Sequence, residues 1–222
     1  MSHLARQEAL RQRLTSAYAA AALSPALALL VETQAALSPE TARDIATADA
    51  IGGALLEADA PEALAADALE RVFARIAAQD DDDSDRVSFE GAHGEDLARL
   101  PAPLRAHAAR ALSLSGWKFA APGIRSLSLN VDGDAKAEIL RIEPGASAPE
   151  HTHDGEEFTL VLTGAFHDHR GVYHVGDIAH ADASVTHRPV GEAGPVCYSL
   201  AVTHAPLRFK GALGLLQRVF TH

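Results

Sequence analysis

The sequence predicts an α+β multidomain protein in which an all-α helical module is followed by an all-β barrel. Residues 1–78 are rich in Ala and Leu and contain few aromatic side chains. An acidic run follows at residues 80–85, and from residue 117 short β-branched and aromatic segments alternate with Gly, Asp and Pro clusters. We therefore assign a helical domain to residues 1–78, an acidic linker to 79–100 and a barrel domain to 101–222.

Serine and proline residues mark the starts of the predicted helices. The first helix is expected at residues 6–22. The Ser-Pro pairs at 24–25 and 38–39 each supply an N-cap and a first-position proline for the next helix, and Pro61 opens a fourth. The fourth helix has an apolar face made of Leu64, Leu69, Val72, Phe73 and Ile76.

Such a module has few large side chains from which to build a core of its own. We expect it to complete its core against a partner, packing small or apolar surfaces such as residues 19–22 and 51–56 against that partner. An ordinary helical bundle or a dimerisation arm is the alternative interpretation, and a homodimer is compatible with either.

The acidic run at residues 80–85 is predicted to be a hinge, because like charges repel one another and cannot pack. Few contacts should cross such a segment. Proteolytic cleavage there is therefore expected to yield two separately folded pieces.

A series of short strands is predicted after a short helix at residues 102–112. Turn residues such as those at 131–134 separate the strands at short intervals. The predicted strand positions are 117–119, 126–131, 137–142, a strand within 145–164, and segments near 166, 173–175, 178 and 195–203. Regularly spaced short strands are typical of a sandwich or a barrel.

Four residues in the barrel could bind a metal ion. His151, His153 and Glu157 all have odd numbers, and in an extended chain residues of equal parity point to one face. His187 follows a set of turn signals and adds a third imidazole. Three imidazoles and a carboxylate suit Zn²⁺, and almost equally Fe²⁺, Mn²⁺, Ni²⁺ or Cu²⁺. The alternative is that these are surface side chains in a chain with 12 histidines.

The spacing G-x5-H-x-H-x3-E-x6-G, which begins at Gly145 and ends at Gly164, resembles the first motif of the cupin family. This resemblance implies a double-stranded β-helix barrel and identifies His187 as the histidine of the second motif. The second motif is incomplete. Asp182, Ser184 and Gly191 stand where family members often have Pro, Gly and Asn.

The whole chain resembles the ChrR family of cupin-containing anti-sigma factors. The matching stretches are LTSAYAAAALS, IGGALLE, EEFTLVLTGAF, GDIAHAD and APLRF. The resemblance implies that the helical module binds an extracytoplasmic-function sigma factor and blocks its binding to RNA polymerase. It also implies that the barrel binds zinc and senses singlet oxygen or related oxidants.

One departure from that family lies in the helical module. Family members carry an H-x3-C-x2-C zinc motif there, and this chain has Gln34, Ser38 and Thr41 at the matching positions. Gln34 and Ser38 are expected to take helix-surface and capping roles. We therefore expect one metal ion per chain, held by the barrel.

Composition limits the classes of partner. A net charge of −11 and a pI near 5.5 argue against direct binding to nucleic acid or an anionic membrane, and permit a basic protein partner. The chain lacks an apolar run of the ~20 residues that cross a bilayer and lacks a secretory signal pattern, so a cytoplasmic location is expected. Its single cysteine, Cys197, is expected to be a small buried hydrophobe.

The leading functional hypothesis is a transcription regulator, an anti-sigma factor whose metal-binding barrel senses oxidative stress. The alternative is a metal-dependent cupin enzyme, an oxygenase or isomerase, with a helical dimerisation arm. An enzyme would need an acid or base beside the metal, for which Glu156, Tyr173 and Tyr198 are available. An inert structural barrel is a third hypothesis.

Overall fold

The computed structural model describes residues 3–78, 89, 93–205 and 207–209, the last three through their backbone alone. The predicted hinge at residues 80–85 lies outside these ranges. The helices of the described residues are α1 (His3–Ala19), α2 (Pro25–Leu37), α3 (Pro39–Ala58), α4 (Ala68–Ala78), α5 (Gly94–Ala98) and α6 (Ala102–Leu114). Within these residues no helix is both long and apolar enough to span a membrane.

The two Ser-Pro pairs start α2 and α3 as predicted. The Ser24 hydroxyl accepts a hydrogen bond from the Leu27 N–H at 3.4 Å, and the Ser38 hydroxyl accepts one from the Thr41 N–H at 3.3 Å. Each bond satisfies an N–H of the first turn that has no partner inside the helix. The first helix ends at Ala19 rather than at the predicted residue 22, because Ala21 adopts a left-handed conformation with φ 52°.

The fourth helix begins later than predicted. Pro61 lies in an irregular segment, and α4 starts at Ala68. Residues 59–67 are exposed, and short helices in proteins gain most of their stability from tertiary packing. A first-position proline is therefore not enough to start a helix in a segment that the described part of the chain leaves exposed.

The barrel is built from short antiparallel strands. They are β1 (Lys118–Ala121), β2 (Ile124–Leu129), β3 (Lys136–Ile142), β4 (His151–His153), β5 (Glu157–Thr163), β6 (Ala165–Asp168), β7 (Gly171–His174), β8 (Ile178–Ala181), β9 (Val190–Gly191), β10 (Cys197–Thr203) and β11 (Leu207–Phe209). They form a six-stranded sheet in the order β1-β2-β3-β10-β5-β8, a three-stranded sheet β7-β6-β9 and a pair β11-β4. The predicted α+β class, with helices followed by an all-β barrel, is confirmed.

The predicted metal-bearing strand is broken in two. Residues 154–156 form a turn, so that His151 and His153 lie on β4 while Glu157 begins β5. Asp154 and Gly155 are turn-forming residues, and Gly155 packs so closely that an added Cβ would lie 3.1 Å from the Ala205 Cβ. The parity argument therefore holds for the two histidines but does not extend to the glutamate.

The helices and the barrel share one hydrophobic core. Leu30 of α2 and Leu104 of α6 are fully buried in the same cluster as Leu127, Leu160 and Leu200 of the large sheet. The expectation that few contacts cross between the two parts is therefore wrong. Part of the helical module completes its core against the barrel of the same chain.

The segment assigned to the linker also contributes to this core. Helix α5 lies between residues 79 and 100, and its Leu97 is fully buried. Leu100, directly after α5, is 2% exposed and packs in the same cluster.

Candidate metal centre

The four predicted ligands converge at one end of the barrel. One potential ligand atom from each of His151, His153, Glu157 and His187 lies within 4.8 Å of the others. The three histidines are between 1% and 5% exposed. Strand β4 supplies two of them, β5 supplies the glutamate, and His187 comes from the segment between β8 and β9.

Backbone pairing fixes His187 opposite β4. The His151 N–H donates to the His187 carbonyl at 3.1 Å, and the His187 N–H donates to the His151 carbonyl at 3.0 Å. The sequence separates these residues widely, but this reciprocal pair places their side chains together. The ring centroids are 4.5 Å apart.

The hydrogen bonds of the rings leave their Nε2 atoms facing one another. His151 Nδ1 lies 2.8 Å from the Pro149 carbonyl, so Nδ1 carries the proton in the neutral ring. His187 Nδ1 lies 3.4 Å from Asp168 Oδ2, which favours the same tautomer. Two Nε2 lone pairs then face each other across 3.0 Å with no proton between them. A cation between them removes that repulsion, and nitrogen ligands about 2.0–2.1 Å from a shared ion fit such a separation.

Burial favours the neutral forms of His151, His153 and Glu157. It lowers the pKa of His151, and burial together with the neighbouring His151 and His187 lowers the pKa of His153 to about 4. Burial raises the pKa of Glu157, whose Oε1 accepts a hydrogen bond from the Thr159 hydroxyl at 3.1 Å. A divalent ion binds neutral imidazoles directly, whereas Glu157 would bind it as the ionised carboxylate, a form that a neighbouring cation favours, so the residues present fit a metal ion.

Asp168 belongs to the candidate site but is not among the residues that the sequence predicts there. Its side chain is 1% exposed on β6 and faces His187 Nδ1. Burial alone would raise the pKa of Asp168, but the neighbouring His187 ring and the hydrogen bond from the Arg170 N–H lower it. A carboxylate behind a ligating imidazole orients the ring and increases its basicity. The motif spacing gave no signal for this residue, because the contact depends on how β6 folds back towards the segment carrying His187.

A cavity of about 130 Å³ opens beside the four residues. Its wall is apolar apart from His151, Glu157, Thr159 and His187. Thr159 is its only other described polar side chain, and it is bonded to Glu157. The cavity suits a small apolar molecule better than a substrate that needs polar recognition.

The three acid or base candidates lie elsewhere. Glu156 interacts with Arg13 and His180 on the outside of the barrel. The Tyr198 hydroxyl donates to Asp96 at 2.8 Å and accepts from Arg141 at 3.1 Å, and burial raises its pKa. Tyr173 faces α1 across a separate cleft. None of them lines the cavity beside the candidate ligands.

Cys197 is 1% exposed in β10, and burial raises its pKa to about 12. Such a thiol is a packing residue, as the sequence predicts, rather than a ready nucleophile.

The positions of the helical zinc motif have other roles here. Ser38 caps α3, and Thr41 is fully buried. Gln34 is 5% exposed and its amide donates to the Gly176 carbonyl of the barrel at 2.9 Å. The expectation that Gln34 lies on the helix surface is therefore wrong, because the barrel covers that side of α2.

Comparison with known proteins agrees with this architecture. Residues 106–207 match the family described as the ChrR Cupin-like domain. The chain is 39% identical over 207 residues to the anti-sigma-E factor ChrR of Cereibacter sphaeroides, covering 93% of this chain and 94% of that protein. The chain belongs to the ChrR family of anti-sigma factors.

A solved structure extends the match to three dimensions. It is the crystal structure of Rhodobacter sphaeroides SigE in complex with the anti-sigma ChrR. The match has a TM-score of 0.68 and 36% identity, and covers 86% of this chain and 96% of that one. The resemblance to the ChrR family is thus confirmed along both the helices and the barrel.

Proposed function

We propose that this chain is an anti-sigma factor whose helices bind an extracytoplasmic-function sigma factor and whose barrel holds a metal ion. The observation that carries the proposal is the set of apolar side chains on α3 and α4 that no described residue covers. Seven large apolar side chains on these two helices are between 52% and 76% exposed: Ile51, Leu55, Leu56, Leu69, Val72, Phe73 and Ile76.

Their spacing supports docking against a partner. Leu69, Val72, Phe73 and Ile76 follow the i, i+3, i+4, i+7 pattern of a helix that buries one face. Soluble proteins seldom leave such a face in water without a binding function, and amphipathic helices commonly dock into the grooves of partner proteins.

The acidic charge near the exposed apolar residues favours a basic protein as the partner. Exposed carboxylates lie near the apolar residues at Asp49, Glu57 and Glu70, in a chain of net charge −11. Acidic surfaces attract basic proteins over distances that salt screens, and the DNA-binding surface of a sigma factor is basic. In the related complex, the partner of the anti-sigma ChrR is SigE.

Copurification of the full-length chain with a co-expressed sigma factor of its host tests the proposal. The variant Leu55→Asp should weaken binding by at least about 30-fold, the loss expected for an interface hot spot. The matched control is Leu114→Asp, which introduces the same charge at a leucine that is 63% exposed on α6 and should leave binding unchanged. A wild-type chain that captures no sigma factor, or equal binding by Leu55→Asp, would refute the proposal.

The metal ion is proposed to be zinc, with Fe²⁺, Mn²⁺ or Ni²⁺ as alternatives, bound by His151, His153, Glu157 and His187. When bound, it would supply a cross-link among β4, β5 and the segment before β9. Elemental analysis of the purified chain should find one equivalent, which His153→Ala should reduce towards zero and Ser38→Ala should not change. Two equivalents per chain would contradict this assignment.

Asp168→Asn tests the positioning role of Asp168. It should reduce metal affinity about 10- to 100-fold without changing the number of ions bound at saturation, as is typical when the partner of a ligating histidine is lost. An unchanged affinity would show that the Asp168 carboxylate does not support His187.

The barrel is proposed to sense oxidants such as singlet oxygen, in the cytoplasm where sigma factors act. Singlet oxygen generated by a photosensitiser should release the sigma factor from the wild-type complex, and His153→Ala should abolish that release. Release of equal extent from both complexes would place the oxidant-sensitive group outside the metal centre. The enzyme alternative gains no support from the apolar cavity, because the described residues that line it include no acid or base beyond the candidate ligands.

A further inference from the structure

A further cleft lies where α1, α2 and the start of α3 meet the turn between β7 and β8. It has a volume of about 400 Å³. Helix α1 contributes Glu8 and Arg11 to its wall, α2 contributes Gln34, α3 contributes Thr41, and the barrel contributes Asp177. The described lining residues of this cleft and of the cavity beside the metal centre do not overlap, so the two spaces are separate.

Two buried oxygen atoms of the lining residues have no hydrogen-bond partner in the described part of the chain. They are Gln34 Oε1 and Thr41 Oγ1. Gln34 is 5% exposed and Thr41 is fully buried. Gln34 Nε2 donates to the Gly176 carbonyl at 2.9 Å, which fixes the amide and leaves its oxygen without a bond. Buried polar atoms ordinarily have a partner, so these two oxygens are acceptors that a ligand in the cleft can use.

Acidic side chains outnumber basic ones in the described wall of the cleft. The wall contains the carboxylates of Glu8, Glu40 and Asp177, and one cation, the guanidinium of Arg11. Arg11 Nη1 donates to Glu40 at 2.7 Å, so the charge of that carboxylate is balanced. The carboxylates of Glu8 and Asp177 remain in excess, and they attract positive charge into the cleft.

Two weaker positive groups lie nearby and do not reverse this excess. His3 Nε2 is 3.7 Å from Asp177 Oδ2 and is charged only when it is protonated. The N-terminus of α3 has Glu40 in its first turn, and its Thr41 N–H already donates to the Ser38 hydroxyl. The cleft therefore favours a cation over an anion.

The acceptors of the cleft are too dispersed to chelate a metal ion. Among the described residues, the only group of three or more His, Cys, Asp or Glu side chains close enough to hold one is the group at the barrel metal centre. An ammonium group has three N–H donors and no acceptor, so it can bond to separate oxygen atoms around it. An organic cation with N–H donors fits these acceptors better than a metal ion does.

From this geometry we propose that the cleft binds a short alkyl chain that bears one or two ammonium groups. The N–H groups donate to Gln34 Oε1 and Thr41 Oγ1, and the carboxylates of Glu8 and Asp177 attract the charge. Leu4, which also lines the cleft, packs against the alkyl chain. The ligand contacts three helices and the barrel and stabilises their arrangement. The proposal depends neither on metal binding nor on sigma-factor binding.

Isothermal titration of the full-length chain with 1,4-diaminobutane tests the proposal, with glycerol as a small neutral comparison. A salt concentration of about 0.15 M screens non-specific attraction to the acidic surface. The diamine should bind saturably and raise the melting temperature, and glycerol should do neither. Thr41→Val should weaken binding of the diamine about 10-fold or more, as expected when a hydrogen bond to a charged group is lost. The matched control is Thr47→Val, the same change at an exposed position on α3, which should leave binding unchanged.

The melting temperature of ligand-free Thr41→Val separates ligand binding from a structural role of the hydroxyl. Valine has nearly the same shape as threonine, and Thr41 Oγ1 has no partner in the described part of the chain. The substitution should therefore leave the melting temperature unchanged or raise it. A lower melting temperature would show that the hydroxyl is bonded within the chain, and would overturn the proposal.

Glu8→Gln tests the attraction of the cation by the carboxylates. Glu8 is exposed on α1, and its replacement should weaken binding of the diamine about 2- to 5-fold, the effect of an exposed charge pair. Glu62→Gln removes the same charge from an exposed position that does not line the cleft, and should bind the diamine as the wild type does. The proposal fails if the diamine does not bind saturably at tens of millimolar, if glycerol binds equally well, or if Thr41→Val binds the diamine as tightly as the wild type does.

Discussion

Two halves of the same helical module differ in what covers them. In α2, Leu27, Leu30 and Val31 are at most 7% exposed and pack against the sheet of the barrel. In α4, Leu69, Val72 and Phe73 are more than half exposed. Both helices are rich in Ala and contain large apolar side chains, so the presence of such residues does not account for the difference.

The pattern of apolar residues accounts for it better. Helix α2 is apolar around most of its circumference, as suits a helix enclosed between α3, α6 and the barrel. In helix α4 the large apolar side chains lie on one face, and the charged residues Glu70, Arg71 and Arg75 stand between them in the sequence. This pattern suits a helix that buries one side only. The first half of the module is thus stabilised within the chain, whereas the second half has the one-sided apolar pattern of an interface that a partner completes.

The largest effect on stability should come from a substitution in the buried half of the helical module. Leu30→Ala removes a fully buried side chain from the core that joins α2 to the barrel, and should reduce the free energy of unfolding by about 2–5 kcal/mol. Circular dichroism follows the helices, and fluorescence of Trp117, the single tryptophan, follows the start of the barrel.

Both signals should shift together in Leu30→Ala, because one core serves both parts. Ile51→Ala, at a residue that is 60% exposed, is the control and should shift neither. A tryptophan transition that stays in place while the helical transition moves would mean that the two parts unfold independently.

A smaller effect should come from the contact between α1 and the edge of the large sheet. The Gln7 amide donates to the Ile178 carbonyl at 2.9 Å, and its side-chain oxygen accepts from the Ile178 N–H at 2.9 Å. Strand β8 is an edge strand, and Gln7 satisfies backbone groups that would otherwise lack a neighbouring strand. Gln7→Ala should reduce stability by about 1–3 kcal/mol.

Amide hydrogen exchange at Ile178 measures this contact directly. Exchange should be at least about 10-fold faster in Gln7→Ala, as expected for a lost hydrogen bond, and unchanged in Gln12→Ala, an exposed glutamine on the same helix. Equal exchange rates in the two variants would show that Gln7 does not protect the edge of β8.

The features that the sequence predicted well depend on nearby residues. The starts of α2 and α3 follow from Ser24 and Ser38, whose capping bonds reach only three residues along the chain. His151 and His153 share a face because they are two positions apart on one strand. Local chemistry of this kind can be read from spacing alone.

The features that the sequence missed depend on contacts between distant segments. Asp168 supports His187 only because β6 brings it behind the imidazole. The sequence predicts Gln34 at the helix surface, but the barrel covers that side of α2. Pro61 suggests a helix start, but a capping signal cannot show that residues 59–67 are exposed among the described residues. Composition likewise could not distinguish the half of the module that the barrel covers from the half that it leaves exposed.

The smallest effect on stability should come from a substitution in the exposed half of the helical module. The same substitution tests most directly whether that half binds a partner. Phe73 is 61% exposed, so Phe73→Ala should change the free energy of unfolding of the isolated chain by less than about 0.5 kcal/mol. The same substitution should weaken sigma-factor binding by at least about 30-fold, because an aromatic side chain on a docking face is a typical hot spot.

Phe119→Ala is the matched control, since Phe119 is 72% exposed on β1 of the barrel and its replacement should affect neither property. Denaturant unfolding and a binding titration on the same three proteins measure both quantities. A large loss of stability in Phe73→Ala would mean that α4 packs within the chain, and its exposed face would then cease to indicate a partner.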